Sequence, residues 1–161
     1  MIFVTVGTQL PFDRLVAAVD DWAAEHPDAD VFVQLGNSAL QPRFCRYTRF
    51  TDPAEWEALF QQAERVVSHA GMGTIIKALD QGKPLIVMPR LAARGEHRND
   101  HQVATAARFR HYPGVRVVED AAGLARCLDE PLTAFQTEER SNERLASLLG
   151  AIRGFLQAPA G

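Results

Sequence analysis

The stretch that most constrains this chain is VVSHAGMGTIIKALDQGKPLIVMP, residues 66 to 89. A β-branched run ends at Ser68-His69, Gly71 and Gly73 bracket Met72, helix-forming residues follow, and a second apolar run starts at Leu85. Parallel strands need a crossover between them, usually a helix, so this order of signals predicts a parallel β-α-β unit. The same alternation runs along the chain. MIFVTVGT is a β-branched run that stops at Gly7-Thr8, and Pro11 opens a helical face of Phe12, Leu15, Val16, Val19 and Trp22. DVFVQLG repeats the strand signal, RFCRYTRF is a weaker candidate, and DPAEWEALFQQA offers Asp52 as a helix cap with Pro53 at the first helical position. Gly82 is placed to stop the helix after the glycine turn, and PLIVMP has the unbroken apolar character of a strand covered on both faces.

Beyond this, Asn99 or Asp100 can cap a helix through Arg110, VRVVE reads as a last strand, and AAGLARCLD as a short helix. Leu145, Leu148, Leu149, Ile152, Phe155 and Leu156 keep helical spacing, which predicts a C-terminal amphipathic helix over 138–157. The expected fold is α/β: one Rossmann-like, doubly wound parallel sheet in a single domain spanning 1–161.

Composition narrows the function classes. At 161 residues, 47% hydrophobic and 23% charged, the chain has the make-up of an ordinary globular domain, and no stretch reaches the roughly 20 apolar residues of a membrane span. Met1 leads straight into Ile2-Phe3-Val4 without a basic segment, so the expected compartment is the cytoplasm and not a secretory route. Cys45 and Cys127 stand far apart and form no C-x-x-C pair, which argues against both a disulfide framework and a zinc knuckle. A net charge of -3 without a basic block argues against nucleic acid as a partner.

In a parallel α/β sheet the binding crevice lies at the carboxyl ends of the strands, where helix N-termini direct unpaired N–H groups. Gly71 and Gly73 would let a phosphate approach those amides, and the Thr74 hydroxyl adds a donor; the plainer alternative is a tight turn and nothing more. Two familiar phosphate motifs do not fit. A dinucleotide fingerprint wants a third glycine where Ile76 stands, and a P-loop wants Ser or Thr where Pro84 follows Gly82-Lys83. Directly after the next strand comes RGEHRNDHQ, in which Glu96, His97, Asp100, His101 and Gln102 could hydrogen-bond sugar hydroxyls, or simply form a solvated loop and cap. His97 and His101 have H-x-x-x-H spacing, but Glu96 precedes the first histidine and no third ligand is evident, so no metal site is expected. His69 is open between a core histidine and a site residue at a strand end.

Taken together, VTVGTQLPFDRL, VQLGNS, SHAGMGTIIKAL, GKPLIVMPR and GEHRNDHQ resemble the C-terminal domain of glycosyltransferase family 28, from residue 1 to about residue 110. More narrowly, the chain resembles the small donor-binding subunits of two-part glycosyltransferases of dolichol-linked oligosaccharide, exopolysaccharide or capsule assembly. The resemblance implies the C-terminal half of a GT-B enzyme that binds a UDP-sugar without a metal or other cofactor. It implies that Gly71, Met72, Gly73 and Thr74 meet the diphosphate, that Asp100, His101 and Gln102 meet the donor sugar, and that Gly7 and Thr8 line the cleft facing the acceptor. One departure stands out: Lys77 occupies the place where related enzymes carry an acidic residue for the ribose hydroxyls, and lysine cannot accept a hydrogen bond.

The implied reaction is inverting transfer to a lipid-linked acceptor, with the catalytic base commonly on the other lobe; His69 and His97 are the fallback candidates within this chain. The missing lobe implies a membrane-anchored partner subunit that recruits the chain to the inner face of the membrane and without which it is inactive or nearly so. A homo-oligomer is an expectation for the isolated chain. The C-terminal helix could serve that docking or pack on its own sheet. The rival readings are a non-catalytic nucleotide-sugar scaffold or sensor, and a self-sufficient sugar-phosphate enzyme, the latter disfavoured because that fold normally brings both lobes.

Overall fold

Among the described residues six strands, β1 (Ile2–Thr5), β2 (Val31–Gln34), β3 (Arg46–Thr48), β4 (Arg65–His69), β5 (Leu85–Met88) and β6 (Val115–Val117), form one sheet in the order β3-β2-β1-β4-β5-β6. Every neighbouring pair is parallel. The computed structural model of the protein describes residues 1–135 and the helical positions 146 and 150; the amphipathic helix expected over 138–157 otherwise lies outside the described residues.

Successive strand residues point to opposite faces, and each face has its own core. On one side Ile2 and Val4 of β1, Val67 of β4 and Ile86 and Met88 of β5 pack against α1 (Asp13–Glu25) and α5 (Ala121–Asp129). On the other, Phe3, Val66, Leu85 and Val87 pack against α2 (Pro53–Gln62), α3 (Met72–Asp80) and α4 (His101–Phe109). Phe3, Phe12, Phe60, Leu15 and Ile86 are wholly buried, each stabilising the fold by about 1.5–3 kcal/mol relative to exposure.

The local signals act as their chemistry requires. Asp52 accepts from the Glu55 N–H at 2.8 Å while the Glu55 carboxylate accepts from the Asp52 N–H at 3.1 Å, a reciprocal capping box that starts α2. α3 ends at Asp80, and Gly82 follows with φ 63°, a left-handed conformation glycine adopts freely. The weak strand signal of RFCRYTRF resolves as the three-residue edge strand β3, and the helix expected through Arg110 ends at Phe109. At the amino ends of the strands, buried Arg65 donates to the Cys127, Leu128 and Glu130 carbonyls and stacks over Phe135, tying the end of α5 to β4.

The strand order reverses between β1 and β4. Chain leaving β1 runs through α1 to one side, chain leaving β4 runs through α3 to the other, and the gap between these departures is the crevice of a doubly wound sheet.

Candidate functional site

Two glycine turns meet at this seam. The first follows β1. Gly7 has φ 80°, and its carbonyl accepts from Gln34 Nε2 at 3.2 Å, while the Gln34 Oε1 accepts from the buried Thr5 hydroxyl at 2.6 Å. Gly36, with φ 54°, comes so close that a Cβ on it would stand 2.5 Å from the Gly7 carbonyl oxygen. The VTVGT and VQLGN segments are therefore two halves of one braced corner.

The second turn follows β4. Gly71 is the N-cap of α3, has no side chain to cap it, and directs its own N–H to the His69 carbonyl at 2.9 Å. The first intrahelical bond runs from Ile75 N–H back to the Gly71 carbonyl, so the amides of Met72, Gly73 and Thr74 have no acceptor among the described residues. The two glycines of this turn differ in kind. A Cβ on Gly71 would collide with the His69 ring, whereas a Cβ on Gly73 would meet no protein atom within 4 Å. Gly71 is bare because the protein fills the space; the space beside Gly73 is open.

Gly7 and Thr8 from the first turn, and His69, Gly71, Gly73 and Thr74 from the second, line one cavity of about 250 Å³. His97 and Gln102 close it from the loop and helix that follow β5, and Arg90 lies at its floor. His69 sits between the turns. Burial, then the charges of Arg90 and His97, push its pKa down to about 4, which leaves the ring neutral at physiological pH.

Glu96, Asp100 and His101 do not line the cavity. Glu96 was expected near the sugar, but it takes Arg14 of α1 in a two-pronged pair, Nε to Oε1 at 2.7 Å and Nη2 to Oε2 at 3.0 Å, and also accepts from the Leu91 N–H. Burial works against ionising Glu96, but the Arg14 hydrogen bonds, the Leu91 N–H and the nearby arginine charges outweigh it and hold the carboxyl below the usual range. Asp100 accepts from the Ala92 N–H, and His101 is exposed at the start of α4. Gln102 lines the cavity, yet its amide is engaged by protein: Oε1 accepts from Ala70 N–H at 3.2 Å and Arg90 N–H at 3.0 Å, and Nε2 stands 3.1 Å from His69 Nδ1. Met72 presents its side chain to solvent, 37% exposed. Lys77 turns from the cavity to α2, pairing with Glu57 at 2.5 Å and lying over the Trp56 and Phe60 rings. Among the described residues no group of three or more His, Cys, Asp or Glu side chains gathers to hold a metal, and no helix is long and apolar enough to cross a membrane.

Arg90 is the residue sequence reasoning missed. It follows β5 and is 3% exposed, with Nη2 donating to the Val6 and Leu10 carbonyls at 2.7 and 2.6 Å and the guanidinium lying 4.9 Å from the Phe12 ring centre. Burial pulls its pKa down to about 10, opposed by Glu96, so it remains a cation at neutral pH. An arginine directly after an apolar strand and a proline was the available signal.

The glycosyltransferase family 28 C-terminal domain matches residues 1–147. The UDP-N-acetylglucosamine transferase subunit ALG13 of Mus musculus is 33% identical over 110 residues, 60% of this chain and 9% of that protein. The elloramycin glycosyltransferase ElmGT of Streptomyces olivaceus is 30% identical over 147 residues, 88% of this chain and 37% of that protein. The chain thus spans about a tenth of the first relative and just over a third of the second. Among solved structures, the glycosyltransferase of kitacinnamycin superposes with a TM-score of 0.63 at 20% identity, covering 95% of this chain and 39% of that one, a likeness of fold. The solution structure of ALG13 gives 0.57 at 20% identity, covering 79% of this chain and 82% of that one.

Proposed function

The chain belongs to the glycosyltransferase family 28 C-terminal domain family, and from that premise we propose that it is the donor-binding subunit of a UDP-sugar-dependent inverting glycosyltransferase. The observation that carries this reading is the convergence of the uncapped Gly73 and Thr74 turn and the His69 ring on one cavity at the β1/β4 seam, with the Met72 amide free beside them. Free amides at a helix N-terminus, with the positive end of the helix dipole behind them, suit a diphosphate. The relatives described as UDP-N-acetylglucosamine transferase subunits support a UDP-sugar as the donor class.

In the reaction an acceptor hydroxyl oxygen bonds to the anomeric carbon from one side as the bond from that carbon to the diphosphate oxygen breaks on the other. The electron pair leaves with UDP, configuration inverts, and the hydroxyl proton passes to a base. Negative charge grows on the leaving phosphate, where prearranged N–H groups stabilise the transition state more than the ground state. These groups perform that task without a metal ion. The base is assigned to the partner subunit, with His97 on the cavity wall as the candidate in this chain.

The cavity of about 250 Å³ suits the diphosphate of the donor, and a second lobe would bring the acceptor to it. We assign that lobe to a membrane-anchored subunit binding a lipid-linked acceptor in exopolysaccharide, capsule or glycolipid assembly, with this chain cytoplasmic and drawn to the membrane's inner face by it. Calorimetry with UDP, UMP and uridine tests the core of the reading. UDP is expected to bind most tightly and uridine least, and equal affinities for all three would remove the diphosphate from the cavity. Transfer measured with and without the partner separates a subunit from a scaffold, which would bind the donor and turn over in neither case.

A further inference from the structure

We propose that Arg90 and Gln102 are positioning residues that hold His69 in a single tautomer, protonated on Nε2, so that the ring serves the donor site as a standing hydrogen-bond donor and not as a base. The proposal rests on the diphosphate reading for its ligand, but its geometry is in the chain itself. His69 Nδ1 lies 3.0 Å from Arg90 Nη1 and 3.1 Å from Gln102 Nε2. A guanidinium has only donors to offer, so Nδ1 must accept. The Gln102 amide is oriented independently: its oxygen is the atom that faces the Ala70 and Arg90 N–H groups, which turns its NH₂ toward the ring. With two donors sharing the single lone pair of Nδ1, the one proton of a neutral imidazole resides on Nε2.

Nε2 is the edge of the ring that reaches the two glycine turns. A Cβ on either Gly7 or Gly71 would stand 2.8 Å from it, and Nε2 has no hydrogen-bond partner among the described residues. Both turns are thus bare where this one N–H emerges. Arg90 cannot swing away to release the ring, because its other nitrogen is gripped by the Val6 and Leu10 carbonyls and its face lies on Phe12. The groups that bear on ring charge are Arg90, at the end of β5, and His97, in the loop before α4; both oppose an imidazolium, as does burial. A histidine kept neutral and donor-only suits a leaving group that gains negative charge, and it excludes His69 from accepting the acceptor's proton.

Nitrogen-15 NMR of the imidazole rings in the full chain reads the tautomer without any ligand. In the wild type, His69 is expected as the Nε2–H form from pH 5 to 8; an Nδ1–H form or an even mixture overturns the proposal. Arg90→Met should mix the tautomers, move the ring's titration toward the ordinary histidine range and weaken UDP about tenfold, the size of one charge-assisted hydrogen bond. Arg90→Lys, which keeps charge and a donor, should recover part of each loss. Gln102→Glu supplies a second reading if Arg90→Met does not fold, because the carboxylate can still accept from both backbone N–H groups but now draws a proton onto Nδ1. Its ring should titrate well above pH 4; a ring in Gln102→Glu that stays neutral and Nε2-protonated at pH 5 counts against the proposal. If UDP fails to bind even the wild type, the diphosphate reading falls while the tautomer spectra still decide the positioning role. If instead Arg90→Met binds UDP normally with its Nε2–H form intact, positioning falls and the diphosphate reading stands.

Discussion

Acid should destabilise this protein through one ring, and the amount can be worked out. Unfolded, His69 titrates near 6.5; folded, burial and the Arg90 and His97 charges bring it to about 4. Because the native ring refuses a proton that the unfolded ring accepts, the unfolded state binds more protons between these values. Stability is therefore complete above about pH 6.5 and falls as pH drops toward 4, at about 1.4 kcal/mol per pH unit. At pH 5 the loss is about 2 kcal/mol, and by pH 4 about 3 kcal/mol, a large share of the roughly 5–15 kcal/mol of a typical domain. The assay is urea unfolding at pH 7 and pH 5 for the wild type and His69→Gln. Every other titrating group is common to both proteins, so the difference between the two pH dependences isolates this ring. The variant should lose about 2 kcal/mol less than the wild type on acidification. Parallel losses would refute a neutral buried ring and, with it, the electrostatic account of the cavity floor.

The two glycines of the second turn should separate in their effects. Gly71→Ala forces its Cβ into the His69 ring and should cost about 1–3 kcal/mol as well as UDP binding, whereas Gly73→Val should fold at wild-type stability and lose UDP; thermal melts and calorimetry on both variants check this. Lys77→Ala should leave UDP affinity within about twofold and lower stability only slightly, since it breaks a half-exposed pair with Glu57 and removes the lysine from the Trp56 and Phe60 rings; a large loss of binding would mean that Lys77 leaves Glu57 for the ligand. Glu96→Ala takes the carboxylate from Arg14, which keeps the Pro89 and Glu119 carbonyls, and leaves the Leu91 N–H without its acceptor; it should cost about 1–3 kcal/mol by urea unfolding, with UDP affinity in the folded protein near wild type.

The elements were readable where a local rule governs them. Asp52-Pro53, Gly82 and the segment AAGLARCLD each act through residues within one helical turn, and the structure follows them closely. The seam was also legible, because two glycine turns after apolar strands in an α/β pattern have one natural meeting place. What escaped were decisions made at long range. Glu96 looked like a sugar ligand because nothing near it in sequence announces Arg14, a partner on distant α1. Gln102 likewise reads as a polar side chain beside a cleft until the ends of β4 and β5 arrive on either side of its amide. Lys77 stood out as unsuited to ribose, yet its partner Glu57 sits on a helix that only folding brings alongside. Arg90 was hidden by its type, since arginine is rarely buried and its burial here depends on carbonyls contributed by the opposite half of the sheet.

That grip has a mechanical side. Arg90 grows from the later half of the chain but clasps carbonyls at Val6 and Leu10 in the earlier half, so it acts as a bolt across the junction of the two halves. Prying the junction apart would strip a buried cation of its acceptors, which makes the bed beneath the cavity stiff. Any closure around a guest then falls to the parts of the cavity wall outside that grip, Thr8 and Gln9 on one side and His97 on the other, while the sheet itself stays still.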